Sequence, residues 1–288
     1  MNPLLRLLPA RPVQWAATLS LICLLPACQT SVGETTAGTA AATKAYSSTS
    51  AAAPDSAATA SSDSLQPVPV ALLPDVPGAV HQQIQELYSA FGAEATGLRL
   101  AVFERACIGY LNLRKAGRLS QPGILAVADM DMPSSEKRLW VLDLKAGKVL
   151  HRSHVAHGRG SGKLRAERFS NVMKSACTAM GFYRTQDTYH GKHGLSRRLR
   201  GLDVGQNDNA LRRYVVLHAA DYVSQQYLQR YGQAGYSRGC PALPPDKYRA
   251  IIETVGEGGC LYLSGPSVVS KWLDATIAAE RLAAHGWH

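Results

Sequence analysis

The chain has 288 residues, which is enough for one large domain or two modest domains. Its 31 Lys and Arg residues outnumber its 21 Asp and Glu residues, which gives a formal net charge of +10. Such a balance favours polyanionic surroundings, namely nucleic acid, anionic lipid or an anionic cell wall. Nucleic acid is disfavoured as a partner because the N-terminus has the pattern of an export signal.

Residues 1–27 are predicted to be a signal peptide. Arg6 and Arg11 give it a positively charged start, and the apolar stretch that follows is too short to span a bilayer. The stretch ends in LLPACQT, which resembles a bacterial lipoprotein box and predicts that Cys28 becomes the acylated first residue of the mature chain. Ordinary signal-peptidase cleavage nearby is the alternative, because Pro26 is unusual in such a box. We therefore expect an exported, periplasmic protein that is anchored to the membrane through its lipid.

Residues 28–78 are predicted to be a disordered tether, because Ala, Ser, Thr and Pro dominate and few large apolar residues are available to be buried. A helical leader is expected over 79–120, since apolar residues recur at helical intervals within 80–92 and again within 98–115. Cys107 lies on the apolar stripe of the second helix. Its position favours core packing, with a disulfide as the alternative.

After the leader the pattern becomes β-like, with short apolar or alternating runs bounded by Gly, Pro or Ser. A catalytic domain is expected over 121–266, followed by a helical tail at 267–288. Strands are predicted at 123–128, 138–144, 147–156, 181–185, 196–203, 213–218 and 260–264, with a short helix at 245–255. The predicted fold class is therefore mainly β (α+β), with two short helices before the sheet.

The runs SRGCPA and VVLHAA carry the candidate chemistry. Cys240 lies between glycine and proline, and His218 ends an apolar run, so an imidazole is available to take the proton of a thiol. The backbone N–H groups of Gly239 and Cys240 are candidate donors to an oxyanion, and protonated His218 and Arg238 are expected to lower the pKa of the thiol. The alternatives are a structural cysteine in a Gly-Pro turn and a satisfied core histidine.

An exported chain matures in an oxidising compartment, so the remaining cysteines are candidates for pairing. If Cys240 is a free nucleophile, at most one disulfide can form among Cys107, Cys177 and Cys260. The sequence does not choose the pair.

The same two runs belong to a series of blocks in fixed order: RLWVLDL, VAHGRGSG, FSN, GFYRT, YHGKHG, GLDVGQNDNA, VVLHAADYV and SRGCPALP. From about residue 98 to 264 these blocks resemble the YkuD-type L,D-transpeptidases, in the branch of murein L,D-transpeptidase catalytic domain proteins. The resemblance implies a β-sandwich-like domain whose cysteine forms an acyl-enzyme with a peptidoglycan stem tetrapeptide, releases D-alanine and cross-links to an acceptor amine. It makes Cys240 the nucleophile and His218 the base, with Ser237 and Gly239 matching the family signature. It also implies acylation by carbapenems.

Two positions depart from the family pattern. Arg238 stands where many relatives have histidine, and Ala242 where they often have asparagine or arginine, which leaves donor and acceptor preference open. An L,D-carboxypeptidase would use the same pair with water in place of the amine. A non-catalytic peptidoglycan-binding lipoprotein is the alternative from another class, but retention of both Cys240 and His218 argues against it. No metal or organic cofactor is expected, and the sequence does not give the oligomeric state.

Three further residues are candidates to line the cleft, namely His157, Tyr189 and His193, with a plain loop or surface position as the alternative for each. The spacing HRSHVAH suggests a metal site, but alternation along a strand places His154 opposite His151 and His157, so no metal is predicted. A zinc site that adds His190 and His193 is the alternative. Basic residues of the central segment are expected to form a solvated face, with attraction to stem-peptide carboxylates as the alternative: Lys192, Arg197, Arg198, Arg200, Arg212 and Arg213.

Overall fold

The computed structural model of the chain describes Leu73 and residues 75–287. The predicted signal peptide, Cys28 and the predicted tether up to residue 72 lie outside the described residues. Within the part that is described, no helix has the length and apolar character needed to cross a membrane.

Two helices precede the sheet, as predicted. Helix α1 (Gly78–Ala90) buries Val80, Ile84 and Leu87, which recur at the spacing of one helix face. In helix α2 (Leu100–Lys115) every residue from 102 to 113 except Arg105 is buried, because the helix packs against α1, the sheet and a C-terminal helix. Gly109 lies where α2 meets the sheet. A Cβ atom there would stand 1.9 Å from the ring of Phe182, so only glycine permits this close approach.

The strands form one mixed sheet of eight members. In chain order they are β1 (Ile124–Asp129), β2 (Leu139–Asp143), β3 (Lys148–Ser153), β4 (Gly181–Gly191), β5 (Gly194–Gly201), β6 (Val216–Ala219), β7 (Ala242–Leu243) and β8 (Cys260–Ser264). Their order across the sheet is β3-β2-β1-β8-β4-β5-β6-β7. The pairs β1–β8 and β6–β7 are parallel, and the other pairs are antiparallel.

Both faces of the sheet are buried at the central strands β1 and β8. Leu125 and Val127 of β1 pack on the side of the helices α1, α2 and α5 (Ala275–His285), and the alternating residues Ala126 and Ala128 pack on the opposite side. On that opposite side lies α4 (Tyr248–Val255), which contacts β1 and β2 as well as β5 and β6. Because β8 and β4 separate those two pairs in the sheet, the sheet curves around α4.

The predicted mainly β (α+β) class and both leading helices are confirmed, and α5 falls inside the predicted helical tail. Three elements differ from the prediction. The strand predicted at 181–185 continues to Gly191 and turns directly into β5, which makes one long hairpin. Helix α3 (Gln225–Tyr231) and the two-residue strand β7 were not predicted.

Candidate active site

The parallel pair β6–β7 brings the two candidate catalytic side chains together. His218 lies on β6 in register with Ala242 of β7, and Cys240 precedes Ala242 by two residues. Both Cys240 and His218 line one cavity of about 620 Å³. Their separation of 22 positions in sequence is therefore bridged by adjacent strands.

The ring of His218 is fixed by the next residue in the chain. His218 is 4% exposed, and its Nδ1 donates to the carbonyl oxygen of Ala219 at 2.8 Å. Since a carbonyl can only accept, this bond selects the neutral tautomer in which Nε2 is an acceptor. Burial lowers the pKa of His218, the Ala219 carbonyl opposes that effect, and the positive charges of His193 and Lys192 add to it.

The thiol of Cys240 donates to the carbonyl oxygen of Tyr214 at 3.6 Å. Burial raises the pKa of Cys240, while a backbone hydrogen bond from Val216 and the positive charge of Arg213 oppose that rise. The predicted lowering of this pKa by protonated His218 and Arg238 is wrong, because the pKa of Cys240 is raised and the cation that opposes the rise is Arg213. At neutral pH the site therefore holds a neutral thiol and a neutral imidazole, an arrangement in which the imidazole is available to take the proton of the thiol.

The turn before Cys240 is built by Ser237 and Gly239. The Ser237 hydroxyl accepts from the Gly239 N–H at 2.9 Å and donates to the Cys240 carbonyl at 2.6 Å. Gly239 has a φ of +119°, and a Cβ atom there would stand 2.6 Å from the Cys177 carbonyl oxygen. The Gly239 amide, which the sequence suggested as an oxyanion donor, is thus engaged by Ser237.

Arg213 connects the site to the loop before β4. Its Nη1 donates to the Ser170 carbonyl at 2.7 Å, and its Nη2 donates to the Cys177 carbonyl at 2.5 Å and to the Ser175 hydroxyl at 3.3 Å. These acceptors lie 36 to 43 positions away in sequence. Sequence reasoning placed Arg213 on a solvated face, and no local pattern signalled its electrostatic effect on the candidate nucleophile.

Of the other predicted lining residues, two lie at the cavity and one does not. Tyr189 and His193 line it together with Arg238, and the His193 ring centroid is 4.6 Å from that of His218. His157 is fully buried outside the set of lining residues. Its Nδ1 accepts from Arg138 at 2.7 Å, and burial beside that guanidinium lowers the pKa of His157 to about 4.

The three histidines of HRSHVAH bond to different partners. His151 contacts the Thr254 hydroxyl at 2.8 Å, and His154 contacts the Ser135 carbonyl at 3.1 Å, whereas His157 is held by Arg138. No group of three His, Cys, Asp or Glu side chains suited to a metal ion occurs within residues 75–287.

The cysteines of the described segment are all free thiols. Cys107 and Cys260 are buried in the core that joins the helices to the sheet, and Cys177 is buried in the loop that Arg213 holds. The single disulfide that the sequence left open among these three residues is therefore absent from the described part of the chain.

A family model described as L,D-transpeptidase catalytic domain matches residues 94–263. The chain belongs to this family, which confirms the resemblance drawn from the sequence blocks. At the level of the family, membership supports an acyltransferase in peptidoglycan cross-linking. A comparison with curated proteins finds no match.

The solved structures that are similar to this chain have low sequence identity to it. An L,D-transpeptidase from Mycobacterium smegmatis is 18% identical with a TM-score of 0.31, covering 50% of this chain and 59% of the other. One from Mycobacterium tuberculosis is 15% identical with a TM-score of 0.33, covering 50% and 58%. The helical cell shape determining protein Pgp2 from Campylobacter jejuni is 11% identical with a TM-score of 0.35, covering 62% of each chain. The match spans less than two thirds of the length of each of these proteins.

Proposed function

We propose that this protein is a peptidoglycan L,D-transpeptidase that works through an acyl-enzyme on Cys240. The observation that carries the proposal is the shared cavity of Cys240 and His218, in which the Ala219 carbonyl fixes the imidazole as a proton acceptor. Membership of the family supports the reaction class. The substrate is a stem tetrapeptide, and no metal or organic cofactor takes part.

In the first half-reaction the Cys240 sulfur attacks the carbonyl carbon of the L,D peptide bond, and its proton passes to Nε2 of His218. The carbonyl oxygen becomes an oxyanion, which the Cys240 amide is placed to stabilise in this proposal. The carbon–nitrogen bond then breaks, and the proton on His218 goes to the departing amine of D-alanine. The enzyme is left as a thioester.

In the second half-reaction an acceptor amine attacks the thioester carbonyl. His218 takes a proton from the amine and returns it to the sulfur as the thiol leaves, which restores both side chains. Water in place of the amine gives an L,D-carboxypeptidase with the same acyl-enzyme. The two activities therefore differ only in what resolves the thioester.

The test is turnover of a disaccharide tetrapeptide, with free D-alanine and muropeptide products measured by mass spectrometry. The proposal expects D-alanine release and a cross-linked dimer from the wild type, and neither from Cys240→Ala. Formation of the tripeptide product without a cross-linked dimer would identify the protein as an L,D-carboxypeptidase. Absence of turnover, with equal retention of wild type and Cys240→Ala on intact peptidoglycan, would favour the binding lipoprotein.

The same proposal places the protein in the periplasm, joined to the membrane by a lipid on Cys28. Family action on peptidoglycan supports export. Labelling of cells with a palmitate analogue should mark the full chain but not a Cys28→Ala variant. Equal labelling of the two proteins, or labelling of neither, would rule out a lipid anchor on Cys28.

A further inference from the structure

The candidate active-site cavity is lined by five cationic side chains and by no carboxylate: Lys174, Lys192, Arg212, Arg213 and Arg238. They come from separate parts of the chain, namely the loop before β4, the β4–β5 turn, the segment before β6 and the turn before Cys240. The fold thus gathers like charges around one opening. Such a cluster raises the local potential, and low-dielectric walls focus it.

None of these five cations takes part in an ion pair with a residue of the described segment. Some cations outside the cavity do pair with carboxylates, as in Lys115 with Glu280 and Arg198 with Asp187. Two cationic residues of the predicted basic cluster are also satisfied away from the cavity, since Arg197 donates to backbone carbonyls and Arg198 is paired. The cavity therefore carries positive charge that no carboxylate of its own lining offsets.

The five cations differ in how firmly they are held. Arg213 is fixed by carbonyl oxygens and a hydroxyl, which accept hydrogen bonds without cancelling its charge. The other four are exposed at the rim of the cavity. A ligand would therefore meet a fixed cation near Cys240 and movable cations around it, an arrangement suited to several negative groups spread along a peptide.

We infer that this cavity selects stem-peptide donors whose carboxyl groups are free anions over the same donors carrying carboxamides. The inference rests on the proposed function. A stem tetrapeptide ends in a carboxylate and carries further carboxyl groups beside the bond that Cys240 would cleave. Amidation of a carboxyl group removes its negative charge and puts hydrogen-bond donors in place of an acceptor-only group, while the shape of the peptide stays nearly unchanged. The cationic lining of the cavity then loses the anion with which it would interact.

The test uses two synthetic tetrapeptide donors that differ only in a carboxyl or a carboxamide on the diamino acid, with kcat/KM measured at low and high salt. The wild type should prefer the free carboxyl by about tenfold at low ionic strength, and the preference should shrink as salt screens the rim. Lys192→Gln combined with Arg212→Gln should reduce it severalfold. The matched control is Arg249→Gln, an exposed cation on α4 outside the cavity, which should keep the full preference.

Alkylation of Cys240 by neutral iodoacetamide reports an intact site in every variant. Equal kcat/KM for the two donors at low salt, or a preference unchanged by the rim substitutions, would overturn the inference while leaving the proposed function standing. Consumption of neither donor by a protein that iodoacetamide still alkylates would instead reject the proposed function, and the inference with it.

Discussion

The imidazole rings of His193 and His218 lie 4.6 Å apart between centroids and are tilted by 39°. His193 lies in the turn between β4 and β5, whereas His218 lies on β6. The long β4–β5 hairpin therefore places the His193 ring beside the His218 ring. Lys192 lies beside them in the same cavity. A proton on His193 therefore disfavours a second one on His218.

Replacing His193 with Gln should move the acid limb of the acylation rate to higher pH. His218 accepts a proton only when neutral, so the rate falls as pH drops through its pKa, and the positive charge of His193 lowers that pKa. Removing the charge raises the pKa. The measurement is the carbapenem acylation rate against pH. His190→Gln, an exposed imidazole on β4 outside the cavity, is the control, and identical profiles for both variants would dismiss a role for His193.

Replacing His218 with Gln should slow acylation by about 10²–10⁴-fold near neutral pH, the range expected for a lost general base. Burial holds the Cys240 thiol neutral there, so little thiolate is available without a proton acceptor. The acid limb set by His218 should also vanish from the profile. Stopped-flow acylation across the pH range checks both points, and an unchanged rate would exclude His218 as the base.

Replacing Arg213 with Gln should raise the pKa of Cys240, because its cation opposes the effect of burial on the thiol. The pH dependence of iodoacetamide alkylation should shift to higher pH. Arg213→Lys keeps the positive charge but cannot donate to the Ser170 and Cys177 carbonyls at the same time. This variant should therefore keep the pH dependence of alkylation close to that of the wild type while lowering the stability of the loop. Alkylation that is indifferent to both substitutions would refute the electrostatic role.

Replacing Gly239 with Ala should cost about 1–3 kcal/mol of unfolding free energy and most of the acylation rate. The new Cβ atom would stand 2.6 Å from the Cys177 carbonyl and displace the turn that carries Cys240. Gly232→Ala is the matched control, since Gly232 also has positive φ, at +69°, but has open space around it. Chemical denaturation and acylation rates should separate the two variants; equal stability and rate would contradict this account of the turn.

Much of the architecture follows from local patterns. The apolar spacing within α1 and α2 and the short apolar runs of β1, β2 and β8 led to the right elements because their burial is encoded at periods of 3.6 and 2. The polar outer half of β4 carries no such signal, since four of its last five residues, 187–191, are exposed near the turn. Strand β7 has two residues and exists only because β6 pairs with it, so sequence alone gave no reason to expect it.

The site was less accessible to sequence reasoning than the fold. The motifs pointed to Cys240 and His218, and the structure brings these side chains to one cavity, while their catalytic roles stay a prediction. The direction of the Cys240 pKa was missed because burial depends on long-range packing. The contribution of Arg213 was missed for the same reason, since its partners lie on a distant loop.

The central claim is that Cys240 is an activated acyl acceptor, and intact-protein mass spectrometry after incubation with a carbapenem tests it most directly. The comparison is between the wild type, Cys240→Ala and Cys177→Ala, each verified as folded by circular dichroism. The account predicts a single adduct on the wild type and on Cys177→Ala and none on Cys240→Ala. An adduct that persists on Cys240→Ala, or a folded wild type that forms none, would contradict it.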